Sequence, residues 1–284
     1  MESAVGLAWN THSGVHIARS SMAQWVGICG VRLQPLARAL REFILAHRVV
    51  HADETPVSLL SPGKGKTHRA YVWVYRTTDF VEQRAVWFDF CASRGGEHPR
   101  RVLKDWRGTL VTDDYCGYDR IHARADVIEA GCMAHARRKL FEAYKLNGSL
   151  IAKQAVELIG KLYEIERAIK GHDCAGRHRQ RQQHARPIAD ELHRWLTEQR
   201  QRLTKADATA KAIDYSLGRW SALTRYLDDG EVPIDQNAVE NAIRPLALGR
   251  RYANCRFMRT RRRSPCARRG VSTLRRCWRG LDFA

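Results

Sequence analysis

The sequence predicts an α/β protein in which a mixed five-stranded sheet is followed by an all-helical region. Residues 49–90 alternate apolar with other side chains, which is the period of strands. Residues 149–226 instead repeat apolar side chains every three or four positions, which is the period of helices. Apolar residues make up 44% of the chain, so it contains enough of them to form a core.

A helical segment is expected before the sheet. Residues 22–47 place Trp25, Leu33, Leu40 and other apolar residues at intervals that form one buried face, over one helix or two. Three strands follow in close succession, at residues 49–52, 70–75 and 85–90. The loops between them are short enough for hairpins, so these three strands are predicted to be antiparallel.

Two further strands alternate with helices. A helix is predicted over residues 98–105, a strand over 109–112, a short helix near Tyr118 and a strand over 127–130. Helical crossovers indicate parallel pairing. Three antiparallel strands followed by two parallel ones form the layout of an RNase H-like sheet. Residues 171–186, inside the helical region, are rich in His, Arg and Gln and predict a solvated loop.

These patterns divide the chain into five segments. We expect a helical lead-in over residues 1–47, an RNase H-like core over 48–147 and an all-helical insertion over 148–230. A final helix with a basic segment follows over 231–254, and an Arg-rich tail over 255–284.

The chain is strongly basic, with a net charge of +19. Clustered Lys and Arg bind phosphates by releasing counterions, so nucleic acid is the first candidate partner and an anionic membrane the second. No run of about 18 apolar residues and no signal-peptide pattern is found, which predicts a cytoplasmic protein without a membrane segment. The eight cysteines follow no framework spacing, so reduced thiols are expected.

Three carboxylates from separated segments are the candidate catalytic residues. Asp53 lies on the first strand, and Asp113 ends the fourth, which neighbours the first in an RNase H-like sheet. Glu240 lies in a short helix that is predicted to end before Pro245. Three such carboxylates are expected to converge and hold two divalent cations roughly 4 Å apart, an arrangement that cleaves phosphodiesters without a covalent intermediate.

Spacing alone leaves other interpretations open. Each aspartate has the position of a turn or cap residue, and Glu240 has the spacing of a capping box with Asn237. Other acids nearby are equally available on spacing, namely Glu54, Asp114 and Asp235. Because side chains alternate along a strand, Asp53 and Glu54 cannot both point into one site.

Six motifs occur in an order that resembles the insertion sequence sixty-six family of DDE transposases, over about residues 14–254. They are residues 51–57 (HADETPV), 71–75 (YVWVY), 93–99 (SRGGEHP), 112–118 (TDDYCGY), 132–139 (CMAHARRK) and 234–250 (IDQNAVENAIRPLALGR). The resemblance implies that Asp53, Asp113 and Glu240 form the DDE triad. Two departures from the family pattern are Asp114, where Gly is usual, and Gln236, where Asn is common.

The resemblance also implies an activity and its partners. It implies metal-dependent DNA strand cleavage and strand transfer with two Mg²⁺ ions, which Mn²⁺ could replace, acting on transposon ends and target DNA near the bacterial nucleoid. A homo-oligomer is left open. The alternative is an inactive, DNA-binding transposase remnant that interferes with intact copies, and a non-transposing RNase H-like nuclease fits the carboxylates but not the order of the motifs.

Further candidate residues are a metal-type pair and a set of basic side chains. Cys132 and His135 have C-x-x-H spacing, which supplies two of the four ligands of structural zinc, and core packing of the pair is the competing interpretation. Six basic residues are candidates for contacts with DNA phosphates, with a solvated basic face as the alternative. They are Arg137, Arg138, Lys139, Arg244, Arg250 and Arg251.

The C-terminal segment has an unusual composition. From Arg244 to Leu281 the chain contains thirteen Arg, no Lys and no acidic residue. Residues 255–284 show neither helical nor strand periodicity, which predicts few contacts with the core and early proteolytic trimming. A frameshifted or decayed gene end and a functional basic DNA-binding arm both fit this composition.

Overall fold

The computed structural model describes residues 18–61 and 66–259. The chain divides into two compact units, residues 34–243 and residues 1–33 with 244–284. The sheet and the candidate site belong to the first unit. In chain order the elements are α1 (Arg19–Leu45), β1 (Val49–Ser61), β2 (Lys66–Thr77), β3 (Val86–Cys91), α2 (Glu97–Val102), β4 (Gly108–Val111), a 3₁₀ turn (Cys116–Tyr118), α3 (Asp119–His122), β5 (Val127–Ala130), α4 (Met133–Asn147), α5 (Leu150–Ala168), α6 (Cys174–Gln180), a π-helical turn (Arg181–Ala185), α7 (Arg186–Arg200), α8 (Ala208–Gly218), α9 (Trp220–Leu223), α10 (Arg225–Asp228) and α11 (Asn237–Arg259).

The five strands form one mixed sheet in the order β3-β2-β1-β4-β5. β1, β2 and β3 pair antiparallel, whereas β4 pairs parallel with both β1 and β5. This confirms the predicted RNase H-like class, with three antiparallel strands followed by two parallel ones. The central position of β1 places its residues between β2 and β4, where both faces of the sheet are covered.

The strand register assigns side chains to the two faces of the sheet. Asp53 lies opposite Val74, and Glu54 lies opposite Trp73, so the two acids point to opposite faces. We call these the Asp53 face and the Glu54 face. The Glu54 face packs against the end of α1, α2 and α3 in one buried cluster, which includes Ile44, Trp73, Leu103 and Ile121.

The Asp53 face is covered by α4 and the helical insertion. Its buried residues Val49, Val111 and Ala130 share one large core cluster with Leu140 of α4 and Leu192 of α7. A smaller cluster on the same face joins α11 to β2, through Val239, Ile243 and Val74.

The insertion leaves the sheet after β5 and returns to the same place. The amide of Gly131 donates to the carbonyl of Ala222 at 2.9 Å, and the amide of Met133 donates to the carbonyl of Ile234 at 3.1 Å. The start and the end of this long helical segment therefore lie side by side, next to the carboxyl end of β5. As a result, the chain has returned to the edge of the sheet just before α11 begins.

The prediction of a solvated loop over residues 171–186 is wrong. This stretch forms α6, the π-helical turn and the start of α7. The side chain of Arg181 is 0% exposed and donates to both carboxylate oxygens of Glu166 at 2.7 and 2.6 Å. Its remaining nitrogen donates to the carbonyls of Tyr226, Asp229 and Val232. The charge can be buried because these acceptors satisfy the guanidinium group.

A second arginine of this stretch is also buried. Arg177 donates to the carbonyl of Gly230 at 2.7 Å, and its guanidinium lies 3.9 Å from the ring centre of Phe80, which stands between β2 and β3. Composition predicted solvent exposure for both arginines. Acceptors that are distant in sequence determine their burial instead.

Both long terminal helices differ in part from the prediction. The lead-in is a single helix that continues through Pro35, which is one of the two predicted alternatives, but its predicted buried face is wrong, because Trp25 and Leu33 are 54% and 58% exposed. The final helix does not end before Pro245 but continues to Arg259, because a proline removes only one backbone hydrogen bond and the turns beyond it can still form. Residues 255–259, for which no regular structure was predicted, are thus helical, and residues 260–284 lie outside the described residues.

Among the described helices, none combines the length and the apolar character that crossing a membrane would require.

Candidate active site

The register of β1 and β4 brings two of the candidate acids together. The strands are parallel, with His51 opposite Val111. Asp53 comes two residues after His51, and Asp113 comes two residues after Val111, just past the end of β4, so the two acids lie close enough for the charge of Asp113 to act on Asp53. The side chain of Asp113 accepts a hydrogen bond from the amide of Tyr115 at 3.0 Å, which forms the turn that follows β4.

The third acid comes from α11, on the same face of the sheet. Val239 and Ile243 are buried against Val74, the residue opposite Asp53, and Glu240 follows Val239 directly. The carboxylate of Glu240 lies 3.6 Å from His135 Nε2 and 3.6 Å from an Nη of Arg138, both on α4.

The structure assigns the cap of α11 to a different residue from the one that the capping-box interpretation requires. Asp235 accepts from the backbone amide of Asn237 at 2.9 Å and from its side-chain amide at 2.8 Å. The Tyr163 hydroxyl also donates to Asp235, at 3.0 Å. Glu240 is therefore turned toward α4 rather than toward the helix start.

Asp53 is in an environment that disfavours its charge. Burial, followed by the negative charges of Glu54 and Asp113, and to a smaller extent Glu240, raises the pKa of Asp53 from 3.8 to about 8. The amide of Glu54 donates to the Asp53 carboxylate at 2.8 Å and acts in the opposite direction.

Glu54, by contrast, is held on the other face by an arginine. Its side chain is 1% exposed and accepts from two nitrogens of Arg94 at 2.9 and 2.6 Å, and from the hydroxyl of Tyr118 at 3.2 Å. Burial raises the pKa of Glu54, and the hydrogen bonds from Arg94 oppose this shift. The Arg94 guanidinium also lies 3.8 Å from the ring centre of Tyr115. Glu54 is therefore paired with an arginine that itself packs against an aromatic ring.

Asp114 is likewise paired with an arginine. Arg219, between α8 and α9, donates through one nitrogen to the carboxylate of Asp114 and through the other to Glu129 of β5. The second nitrogen also lies 3.5 Å from the carbonyl oxygen of Asp113. This side chain therefore links the helical insertion to the carboxyl ends of β4 and β5.

The donor set fits hard divalent cations. Asp53, Asp113 and Glu240 offer carboxylate oxygens, which Mg²⁺ and Mn²⁺ prefer, and the charges of Asp113 and Glu240 act on Asp53. Within residues 18–61 and 66–259, no three His, Cys, Asp or Glu side chains stand close enough together to hold a metal ion as placed. The chemistry of the donors therefore fits, while their closer convergence stays a prediction.

Cys132 and His135 make different side-chain contacts in the structure. Cys132 is buried at the start of α4, its sulfur accepts from the amide of Gln236 at 3.4 Å, and burial raises its pKa to about 12. His135 turns its Nε2 toward Glu240, and burial lowers its pKa, which the charge of Glu240 opposes. These contacts favour the core-packing interpretation for Cys132.

Of the predicted DNA-contacting residues whose side chains are described, Arg138 lies beside Glu240. Arg138 is exposed, as is Lys139, which has its ammonium 4.4 Å from the ring centre of Tyr215. Arg137 is half-buried and Arg244 is exposed. Arg250 and Arg251 are described only through their helical backbone.

Sequence reasoning missed two residues near the candidate triad. Arg94 lies inside the run 93–99 that carries the family resemblance, so the motif contained a signal that was not interpreted. Arg219 had no signal, because its partners Asp114 and Glu129 are distant in sequence and no pattern links them.

A first prediction concerns the stability of the metal-free protein. Asp53 binds its proton up to a pH of about 8 in the folded state but only up to about 3.8 when unfolded. The folded state thus binds more protons between these values, and the wild-type protein loses stability as the pH rises through this window. Asp53→Asn removes the buried charge and should be more stable than wild type by about 1–3 kcal/mol near pH 9, and by less near pH 5.

Thermal melts in EDTA across pH 5 to 9 measure this difference. Asp105→Asn, a substitution of an exposed aspartate, is the matched control and should follow wild type at every pH. A constant difference between Asp53→Asn and wild type would contradict the raised pKa of Asp53.

Comparisons with known proteins agree with the motif order. The model of the Transposase IS66 family matches residues 7–263. The uncharacterized protein y4qI of Sinorhizobium fredii is 35% identical over 249 residues, which cover 84% of this chain and 46% of that protein. The uncharacterized protein y4hP of the same organism is 32% identical, again over 84% of this chain and 46% of its own length. The chain therefore spans about half the length of the curated relatives it matches.

One solved structure is distantly similar in fold. The Drosophila P element transposase strand transfer complex matches with a TM-score of 0.33 and 11% identity, over 69% of this chain and 70% of the other. A likeness at this level says nothing about the chemistry of the chain.

Proposed function

Because the chain belongs to the IS66 family of transposases, we propose that it is a DDE catalytic domain that cuts and joins DNA with the help of divalent metal ions. The observation that carries the proposal is that the charges of Asp113, after the end of β4, and of Glu240, on α11, act on Asp53 of β1. Burial is the larger cause of the raised pKa of Asp53, to about 8, and a carboxyl group perturbed in this way is typical of functional sites.

The proposed reaction has two phosphoryl transfers. Water attacks a phosphodiester at a transposon end, and the freed 3′-hydroxyl then attacks the target strand. Two Mg²⁺ ions, held by the three carboxylates, would supply activation of the attacking oxygen and stabilisation of the leaving one. Asp53 must lose its proton before it can take part, because only the carboxylate form binds a hard cation.

The other residues of the site bind and orient. Arg138 and Lys139 are exposed on α4, and Arg138 lies beside Glu240, where a DNA backbone would meet it. Arg94 holds Glu54 on the opposite face, so Asp53 is the acid of this pair that faces the proposed metal site. The net charge of +19 supports DNA as the substrate, in the cytoplasm of a bacterial cell.

The test of this function is metal-dependent cleavage of supercoiled plasmid DNA. We expect nicking with Mg²⁺ or Mn²⁺ and none in EDTA. Glu240→Gln should lower the rate by at least about 100-fold, because it removes one anionic ligand. Glu142→Gln, an exposed glutamate on the same helix as Arg138, is the matched control and should nick like wild type.

The outcomes separate the proposed enzyme from a remnant that only binds DNA. A wild-type protein that binds plasmid in a salt-sensitive way, but nicks no faster than Glu240→Gln, would contradict the enzyme. Nicking that persists in EDTA would mean that the chemistry does not depend on metal.

A further inference from the structure

Each candidate aspartate is followed in the chain by a second acid. On β1, Glu54 follows Asp53, and the pleat of the strand and two hydrogen bonds from Arg94 together direct it to the opposite face. Asp53 accepts a hydrogen bond from the backbone amide of Glu54. At this position the fold decides which of two neighbouring carboxylates remains available.

After β4 the pleat cannot make the same choice, because Asp113 and Asp114 lie in a turn rather than in a strand. Asp114 is a carboxylate with 51% of its side chain exposed, and it has the same oxygen donors as Asp113. Left unpaired, it would compete for a cation or add charge beside Asp113. Arg219 forms an ion pair with it.

The position of Arg219 suits this purpose. The same guanidinium is paired with Glu129, and it lies 3.5 Å from the carbonyl of Asp113. Guanidinium groups hold carboxylates in a fixed orientation, unlike the point charge of lysine. One side chain of the helical insertion thus fixes the direction of the Asp114 carboxylate and braces the main chain at Asp113.

We propose that Arg219 is a positioning residue that keeps Asp114 out of the metal site, so that Asp113 alone supplies the ligand at the end of β4. The inference rests on the proposed function, since it assigns a role toward the bound cations. Arg94 and Glu54 are the corresponding pair on β1. They are less suited to a test, because loss of Arg94 would leave an almost fully buried glutamate unpaired and would endanger folding.

The experiment compares Arg219→Ala, the double variant Arg219→Ala/Asp114→Asn and Arg200→Ala. Arg200 is the matched control, because it also belongs to the helical insertion and pairs with an exposed carboxylate, Asp214. Three quantities are measured on the full chain: plasmid nicking, Mn²⁺ binding followed by electron paramagnetic resonance, and hydrogen exchange of residues 112–118 without metal. Plasmid affinity is measured in parallel.

Arg219→Ala should nick about 10- to 100-fold more slowly than wild type and bind Mn²⁺ more weakly, because a misplaced ligand is costly at a reacting centre. Its plasmid affinity should match that of Arg200→Ala, since each loses one positive charge. The double variant should recover at least about tenfold of the lost rate, because the competing carboxylate is gone. Exchange of residues 112–118 should be faster in Arg219→Ala than in Arg200→Ala.

A double variant as slow as Arg219→Ala would overturn the proposal, since the arginine would then only brace β4 against β5. Unchanged exchange in Arg219→Ala would overturn it as well, whether or not the protein cuts DNA. A wild-type protein that neither nicks DNA nor binds Mn²⁺ would instead contradict the proposed function, and the exchange measurement would still decide whether Arg219 holds the turn.

Discussion

Asp53→Asn is expected to lower the rate of metal-dependent nicking by at least about 10³-fold, or roughly 4 kcal/mol of transition-state stabilisation. Asp53 is a half-buried carboxylate at the centre of the sheet, and burial, together with the charges of Glu54, Asp113 and Glu240, raises its pKa to about 8. Asparagine keeps the shape and the hydrogen bond from the amide of Glu54, so the loss reports on the charge.

DNA binding should survive the same substitution. Phosphate contacts come from Lys and Arg, and the removal of a carboxylate weakens none of them, so plasmid affinity should change by less than about twofold at a fixed salt concentration. Filter binding at several salt concentrations and nicking in Mg²⁺ measure the two effects separately. Asp105→Asn is the control for the same chemical change on the surface. Residual nicking above a tenth of the wild-type rate in Asp53→Asn would show that the active site lies elsewhere.

The second large effect concerns stability. Arg181→Met should lower the free energy of unfolding by about 3–5 kcal/mol, because it leaves the Glu166 carboxylate without its partner inside the helical insertion. The three backbone carbonyls that Arg181 reaches would lose a donor at the same time. Urea denaturation followed by far-ultraviolet circular dichroism measures the loss.

Two further variants identify its cause. Arg186→Met removes an arginine of the same region whose partner, Asp228, is about half exposed, and it should cost less than about 1 kcal/mol. Arg181→Met/Glu166→Gln should be more stable than Arg181→Met, since no buried charge is then left unpaired. A single-variant loss as small as that of Arg186→Met would mean that the buried pair contributes little.

The sheet could be predicted from the sequence because its pattern is local. Alternation along β1, β2 and β3 and the short loops between them specify antiparallel pairing, and the same alternation places Asp53 and Glu54 on opposite faces. The extent of α11 could not be predicted in the same way, because Pro245 is a local stop signal, yet the helix continues through it to Arg259.

The buried arginines were beyond the reach of local patterns. Arg177 and Arg181 stand in a stretch whose composition indicates solvent, yet their acceptors come from residues 166, 226, 229, 230 and 232. The contacts of Arg219 could not be predicted for the same reason, since its partners Asp114 and Glu129 are distant in sequence. The candidate triad could be predicted from the order of the motifs, whereas the arginines that pair with the neighbouring acids could be identified only from the structure.

The side-by-side ends of the helical insertion have a consequence for how the site is assembled during synthesis. Asp53 and Asp113 come from strands that pair early in the chain, whereas Glu240 arrives only after the whole insertion has folded and returned to Gly131 and Met133. On the proposed triad, a nascent chain that still lacks α11 already carries the basic face of α4 but not the third carboxylate. On the proposed function, we expect such a chain to bind DNA before it can cut it, with cleavage starting only once the last helix is in place.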